Sequence, residues 1–204
     1  MNESSNQRGV GLIEVMVAVL LLSVAVLGFS ALQMRAITAT DESLVRTKSL
    51  TIVRNLAEVM RAYPESYVTG SEAGFSSGSS TDTGAQPTIQ AVVSSAAVDT
   101  VSVDAKTISV NGDNNCLSTS AIPCNINQLV AREGLLIKKL AADNDIALSI
   151  ATCPGTSTTS IQNQMCIITA WNGTEAIISD ADDACATIDG VYKIGSHCLI
   201  SEAY

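Results

Sequence analysis

An uncharged run of apolar residues near the N-terminus constrains the fold of this chain more than any other stretch. From Val15 to Met34 there is no charged residue and no proline. Because a helix rises about 1.5 Å per residue, the run spans roughly 30 Å, the thickness of a bilayer core. One carboxylate, Glu14, stands at the head of the run, where burial in lipid would be costly. The run predicts a transmembrane helix, and Glu14 requires a separate explanation.

Charge and composition limit the functions open to the rest of the chain. The net charge is -9 over 204 residues, and several of the 11 basic residues lie between Arg35 and Arg61. Since phosphate binding requires clustered Lys and Arg, we expect no direct contact with nucleic acid. Aromatic residues make up 3% of the chain. The core must therefore be built from small and β-branched side chains, which suit strands and closely packed helices.

The cysteines all lie in the C-terminal half of the chain, beyond the apolar run. They are Cys116, Cys124, Cys153, Cys166, Cys185 and Cys198. An even number beyond a membrane segment indicates disulfides made in an oxidising compartment. Sequence alone does not choose among the connectivities, but proximity favours the local pairs 116–124, 153–166 and 185–198. Zinc binding is disfavoured, because CxxC spacing is absent and the chain has 1 histidine.

The residues before the apolar run carry a recognisable signal. Gly9-Val10-Gly11-Leu12-Ile13-Glu14, followed by an apolar run, resembles the class III signal of type IV pilins and pseudopilins. The resemblance implies that a membrane peptidase cuts between Gly9 and Val10 and that the new N-terminus, Val10, is methylated. It also implies that Glu14 serves filament assembly. Two departures are Val10, where phenylalanine or methionine is commoner, and the weakly basic leader.

The resemblance gives Glu14 a physical role. After cleavage, the carboxylate of an incoming subunit could pair with the positive amine of Val10 in a subunit already assembled. The pairing avoids an unpaired carboxylate in a desolvated environment, which costs about 3–5 kcal/mol. The alternative is an interfacial acid at a helix start, where the macrodipole favours negative charge. A signal peptide cut near Gly28–Ala31 is a further alternative.

The helical pattern continues past the membrane run. Apolar residues at Val45, Ile52, Leu56, Val59 and Tyr63 follow helical spacing. Pro64 ends the pattern, because the residue before a proline is driven out of the α region. We therefore predict one long helix from Glu14 to Tyr63. Its segment 10–34 would lie in the membrane or filament core, and 35–64 would be its amphipathic second half.

A second stretch of the sequence resembles one particular type of pilin. The sequence Leu56-Ala57-Glu58-Val59-Met60-Arg61-Ala62-Tyr63-Pro64 is similar to the corresponding stretch of PilV-type minor pilins, the type IV pilus modification proteins. Tyr63 stands where that family usually has asparagine. The resemblance implies an α+β, type IV pilin-like fold. In that fold the long helix packs on a small antiparallel sheet with a second helix and disulfides. The leader would be 1–9 and the extracytoplasmic head 65–204.

Local patterns predict the elements of the head. The Gly/Ser/Thr-rich stretch 69–87 is typical of a loop. Short strands are expected within 98–103 and 107–110, a helix over 125–142 and a strand at 146–150. The apolar face of the predicted helix would include Ile126, Leu129 or Val130, Leu136 or Ile137, and Leu140. Lys138 and Lys139 would lie at the C-terminal end of that helix. Strands 165–171 and 175–179, joined by Asn172-Gly173, predict a hairpin.

Residues that could carry chemistry have simpler interpretations. His197 is the only histidine, its neighbour Cys198 is expected to be oxidised, and no nucleophile or phosphate-loop motif is present. We expect neither catalysis nor a cofactor. The acids at 180, 182 and 183 lack the EF-hand pattern, which favours a solvated loop over a calcium site. Trp171 is interpreted as a packing residue, and the glycosylation pattern at Asn172 as part of the turn.

These observations predict a structural minor pilin. It would be anchored in the bacterial inner membrane, then processed and incorporated in the initiation or tip complex of a pilus at the cell surface, supporting adhesion and twitching. Its expected partners are other minor and major pilins, the prepilin peptidase and the inner-membrane assembly platform. One alternative is a minor pseudopilin of type II secretion. Another is a single-pass anchored extracytoplasmic binding protein.

Overall fold

A computed structural model describes residues 11–64, 88–104, 106–112, 116–117, 123–154 and 164–203. The helices are α1 (Leu12–Ala62), α2 (Thr88–Ser94) and α3 (Ile126–Ala142). The strands are β1 (Thr100–Val103), β2 (Lys106–Ser109), β3 (Ala147–Thr152), β4 (Met165–Ala170), β5 (Glu175–Ile178), β6 (Ala184–Ala186) and β7 (Cys198–Glu202). The chain forms two compact units, Met1–Leu44 and Val45–Tyr204, whose boundary falls inside α1.

The first unit contains the apolar part of α1. The helix has 51 residues without a break, which confirms the prediction of one long helix. It is the one helix in the described part of the chain that is long and apolar enough to cross a membrane, and its most apolar stretch is 0% buried. Phe29 and Leu32, for example, are exposed. The apolar surface of this unit has no cover within the described chain.

The second unit buries the remainder of α1. Ile52, Leu56 and Met60 are almost completely buried, and Val45 and Tyr63 pack partly buried against the same core. The spacing predicted from sequence therefore identifies the buried face of this segment. The helix ends at Ala62, just before Tyr63 and Pro64, as the proline requires.

A three-stranded antiparallel sheet forms the centre of the second unit. Its order is β3-β4-β7, and every residue of the middle strand β4 is buried. Ile167 of β4 belongs to the core cluster that contains the buried face of α1. Ile168 of the same strand belongs to a separate cluster with Ala176 and Cys185. Successive residues of a strand face opposite sides, so β4 contributes to a core on each side of the sheet.

The predicted hairpin across Asn172-Gly173 is wrong in its strand pairing. The turn itself forms: Asn172 has φ 56°, Gly173 has φ 82°, and the Thr174 N–H donates to the Trp171 carbonyl at 3.2 Å. However, β4 pairs with β3 and β7, and β5 pairs in parallel with β6. An Asn-Gly turn specifies a local chain reversal. It does not decide which strands take the two edges of β4, and both edges are occupied.

The second helix, α3, begins with a capping box. Asn125 accepts from the Gln128 N–H at 2.8 Å, and the Gln128 side chain accepts from the Asn125 N–H at 3.1 Å. This confirms the predicted start of the helix. The predicted apolar face is partly wrong, because Ile126 and Leu140 are exposed whereas Leu135 is buried.

A short helix absent from the sequence prediction explains the difference. Helix α2 contacts α3, and Val92 lies so close to Gly134 that an added Cβ would be 3.4 Å from its side chain. The face containing Gly134, Ala131 and Leu135 is therefore turned inward. Strand β1 lies within the predicted range 98–103, whereas β2 begins one residue before the predicted range 107–110; the two strands pair antiparallel. The predicted loop 69–87 lies outside the described residues.

Three disulfides brace this second unit. Cys116–Cys124, Cys153–Cys166 and Cys185–Cys198 have Cα–Cα distances of 5.5, 4.9 and 5.7 Å. Each joins residues close in sequence, with separations of 8, 13 and 13. The second and third disulfides connect residues at or beside β3, β4, β6 and β7. They therefore reinforce the strand arrangement around β4.

Candidate assembly interface

Glu14 lies in the first turn of α1. Its side chain is exposed, and its backbone N–H donates to the Gly11 carbonyl at 2.9 Å. The partial positive charge of a helix N-terminus favours a carboxylate at this position. Gly9 and Val10, the predicted cleavage and methylation positions, lie outside the described residues.

An apolar face of α1 begins at this carboxylate. Glu14, Ala18 and Leu22 are spaced four residues apart, with Val15 and Val19 beside them along a shallow groove. The next charged residue along the chain is Arg35, about 30 Å away along the helix. Within α1, the first cation after Glu14 is therefore Arg35, which is too distant to form an ion pair with it.

Two serine hydroxyls of the apolar run bond to their own helix. The Ser23 hydroxyl donates to the Leu20 carbonyl at 2.7 Å, and the Ser30 hydroxyl donates to the Val26 carbonyl at 2.9 Å. Hydroxyls bonded to their own helix in this way need no outside partner. Large exposed apolar surfaces mark interaction or membrane sites. This surface can consequently lie in lipid or against similar helices without unsatisfied hydroxyls, and Glu14 is its one charged group.

Other residues considered from sequence are not brought together as a chemical site. Trp171 is buried, which confirms its packing role. The six cysteines are in disulfides and provide no thiolate. The acids at 180, 182 and 183 are exposed. Among the residues that the structure describes, no group of three potential metal ligands occurs.

Two lysines of α3 have structural partners that the sequence did not reveal. The Lys138 ammonium donates to the carbonyls of Val92, at 3.2 Å, and Ala97, at 3.0 Å, near the C-terminal end of α2. Partial burial lowers the pKa of Lys138. Lys139 lies 2.6 Å from the Asp99 carboxylate. The hydrogen bond to that carboxylate, and then its charge, raise the pKa of Lys139. Both lysines therefore connect α3 to the end of α2 and the segment that follows it, in addition to lying near the C-terminal end of α3.

Two known sequence families match the N-terminal part of the chain, within residues 4–86. The prokaryotic N-terminal methylation motif matches residues 4–30. A family described as type IV pilin Tt1218-like matches residues 31–86. No curated protein and no solved structure shows a significant match. The first match includes Glu14, and the second includes the buried second half of α1.

Over residues 4–86 the chain is similar to type IV pilins. The matches agree with its long apolar helix and its α+β, disulfide-containing second unit. Proteins of this class are structural components of a pilus or pseudopilus. They are processed by a prepilin peptidase, assembled with other pilins and anchored in a membrane beforehand. The matching family is named for a type IV pilin and not for the PilV type, so the subtype belongs to the proposal that follows.

Proposed function

We propose that the chain is a PilV-type minor pilin that joins the initiation or tip complex of a type IV pilus. Its leader, 1–9, would be removed between Gly9 and Val10, and Val10 would be methylated. Segment 10–34 would form the filament core, 35–64 the amphipathic half of the helix and 65–204 the extracytoplasmic head. Its partners would be major and other minor pilins and the inner-membrane assembly platform. At the cell surface it would support assembly, adhesion and twitching.

The observation that carries this proposal is the isolated carboxylate at the head of an uncovered apolar helix. A membrane anchor gains nothing from Glu14, which is expensive to bury in lipid. A filament subunit gains specificity, because the carboxylate can pair with the Val10 amine of a neighbour. Loss of one partner of a buried pair costs about 3–5 kcal/mol, so the pair strongly favours one docking position over shifted ones.

Substitution of Glu14 tests the role directly. In Glu14→Ala we expect leader cleavage to continue, while the amount of the protein in sheared pili, or the number of pili, decreases. Asp41→Ala is the matched control, because Asp41 is also an exposed acid of α1 but lies beyond the apolar run. Normal piliation and normal abundance of Glu14→Ala in sheared pili would contradict the assembly role.

A minor pseudopilin of type II secretion is a second candidate, because the matched methylation motif is also typical of pseudopilins. The two candidates differ in the phenotype of a deletion. We expect a deletion to impair piliation and leave secretion of extracellular proteins intact. Blocked secretion with normal pili would assign the chain to the pseudopilus instead. An uncut leader in the mature protein would favour an anchored binding protein.

A further inference from the structure

The disulfide between Cys116 and Cys124 differs from the other two in its exposure. Both of its cysteines are partly exposed. In contrast, the second disulfide joins two buried residues, Cys153 and Cys166, and the third includes the buried Cys185. A thiolate can attack a disulfide only where it can reach a sulfur atom. The first disulfide therefore offers a thiol the easiest approach.

A positive charge lies beside one of the two sulfur atoms of this disulfide. The Lys106 ammonium, on β2, is 3.4 Å from Cys124 Sγ. Cys124 also directly precedes Asn125, the residue that caps the N-terminus of α3. A nearby ammonium and a helix N-terminus both stabilise a thiolate. When the disulfide opens, the released electron pair is therefore favoured on Cys124.

The other sulfur atom has a different environment. Cys116 Sγ lies 3.9 Å from the carbonyl oxygen of Gln128, in the first turn of α3. A carbonyl oxygen is a hydrogen-bond acceptor with partial negative charge, so it gives a thiolate no comparable stabilisation. The two sulfur atoms are therefore unequal. Cys124 is the better leaving group, which makes Cys116 Sγ the favoured point of attack.

The backbone of Cys116 also favours opening of the disulfide. Cys116 has φ 62°, in the left-handed region. A residue with a Cβ rarely adopts this conformation, which persists only where the surrounding structure imposes it. The link to Cys124 is one of the restraints on this residue. Opening the disulfide would allow the Cys116 backbone to relax.

We propose that the Cys116–Cys124 disulfide is a thiol-exchange site whose co-substrate is a small-molecule thiolate. The thiolate attacks Cys116 Sγ and forms a mixed disulfide there, while the bond between Cys116 and Cys124 breaks. Cys124 leaves with the electron pair, as a thiolate beside the Lys106 ammonium. In the reverse step, this thiolate attacks Cys116 Sγ and releases the small thiolate, so the full cycle consumes no oxidant or reductant.

Exchange at this site would affect one part of the second unit only. Cys116 and Cys124 pack against the core cluster formed by α2, α3, β1 and β2. The other two disulfides connect residues at or beside the strands around β4. These would stay closed and keep the sheet braced while the start of α3 loses its covalent link. The inference does not depend on a place in a pilus, because it requires only the folded second unit.

Mass spectrometry of the full-length protein in detergent tests the proposal. The protein is treated with β-mercaptoethanol, a thiol without other charged groups, and free thiols are trapped at intervals with N-ethylmaleimide. We expect the first product to carry mercaptoethanol on Cys116 and maleimide on Cys124, with the other disulfides still closed. Earlier opening of another disulfide, mercaptoethanol on Cys124 instead, or no exchange would overturn the proposal.

Charge substitutions then test the role of Lys106. Lys106→Met should slow the exchange about threefold, because the leaving thiolate loses its neighbouring positive charge. Lys106→Arg keeps the charge and should keep the rate. Lys139→Met is the matched control, since Lys139 lies in the last turn of α3. Asp104, which accepts from the Asn125 side chain at 2.7 Å, is the opposing charge at the start of α3, so Asp104→Asn should not slow the exchange. An unchanged rate in Lys106→Met, or equal slowing in Lys139→Met, would overturn the proposal.

Discussion

The two parts of α1 belong to one helix but have opposite environments. In the second unit, its apolar residues Ile52, Leu56 and Met60 are buried in a core shared with α2, α3 and the sheet. In the first unit, the most apolar stretch is 0% buried. Continuous helical structure is therefore not evidence of a completed core. The apolar side chains of the second part are buried by their own chain. Those of the first part require cover from lipid or from other subunits.

The largest expected effect is a difference in the free energy of unfolding between matched leucine substitutions in these two parts. Leu56→Ala should lower the free energy of unfolding of the second unit by about 2–5 kcal/mol, because it leaves a cavity in the core. Leu20→Ala, at an exposed position of the same helix, should change it by less than about 0.5 kcal/mol. Denaturant unfolding of the full chain in detergent measures both. Equal losses would show that the two parts are not independent.

The sequence predicted the features that depend on local signals and missed those that depend on long-range packing. Hydrophobic spacing and Pro64 were sufficient to predict α1, and the apolar pattern predicted α3 over 125–142. These signals are local. Helix α2 was missed because its few residues carry no cap or charge pattern. The β4–β5 hairpin was wrong because strand partners are chosen by long-range packing. The proposed assembly role of Glu14 came from the family resemblance and from its position before the apolar run, whereas the partners of Lys138 required the fold.

A smaller effect on the stability of the second unit is expected in the loop closed by Cys185 and Cys198. Gly190→Ala should destabilise this unit by about 1–3 kcal/mol, because it combines positive φ strain with a clash against Pro154. Gly195→Ala is the matched control, since Gly195 has a similar φ of 82° but no atom within 4 Å of an added Cβ. Thermal unfolding of both variants measures the difference. If Gly195→Ala is equally destabilising, the contact with Pro154 contributes nothing.

The smallest effect is a pH dependence in the second unit alone. Asp99 raises the pKa of Lys139 above its ordinary value of 10.5. The stabilisation is therefore fully present below pH 10.5 and is lost as pH rises through the higher pKa of the folded state. Asp99→Asn should remove this loss. Unfolding curves between about pH 9 and pH 11.5 compare it with the unchanged chain. Lys138 is common to both proteins, so identical pH profiles would contradict the contribution of the Lys139–Asp99 pair.

The most direct test of the account is the intact mass of the protein isolated from sheared filaments of its native cell. A helix that leaves the membrane to join neighbouring helices requires a processed N-terminus beside Glu14. We predict a chain that begins at Val10, lacks residues 1–9 and carries one added methyl group. A filament-associated or mature protein that still retains Met1 or the leader would contradict the central claim and leave α1 as a membrane anchor only.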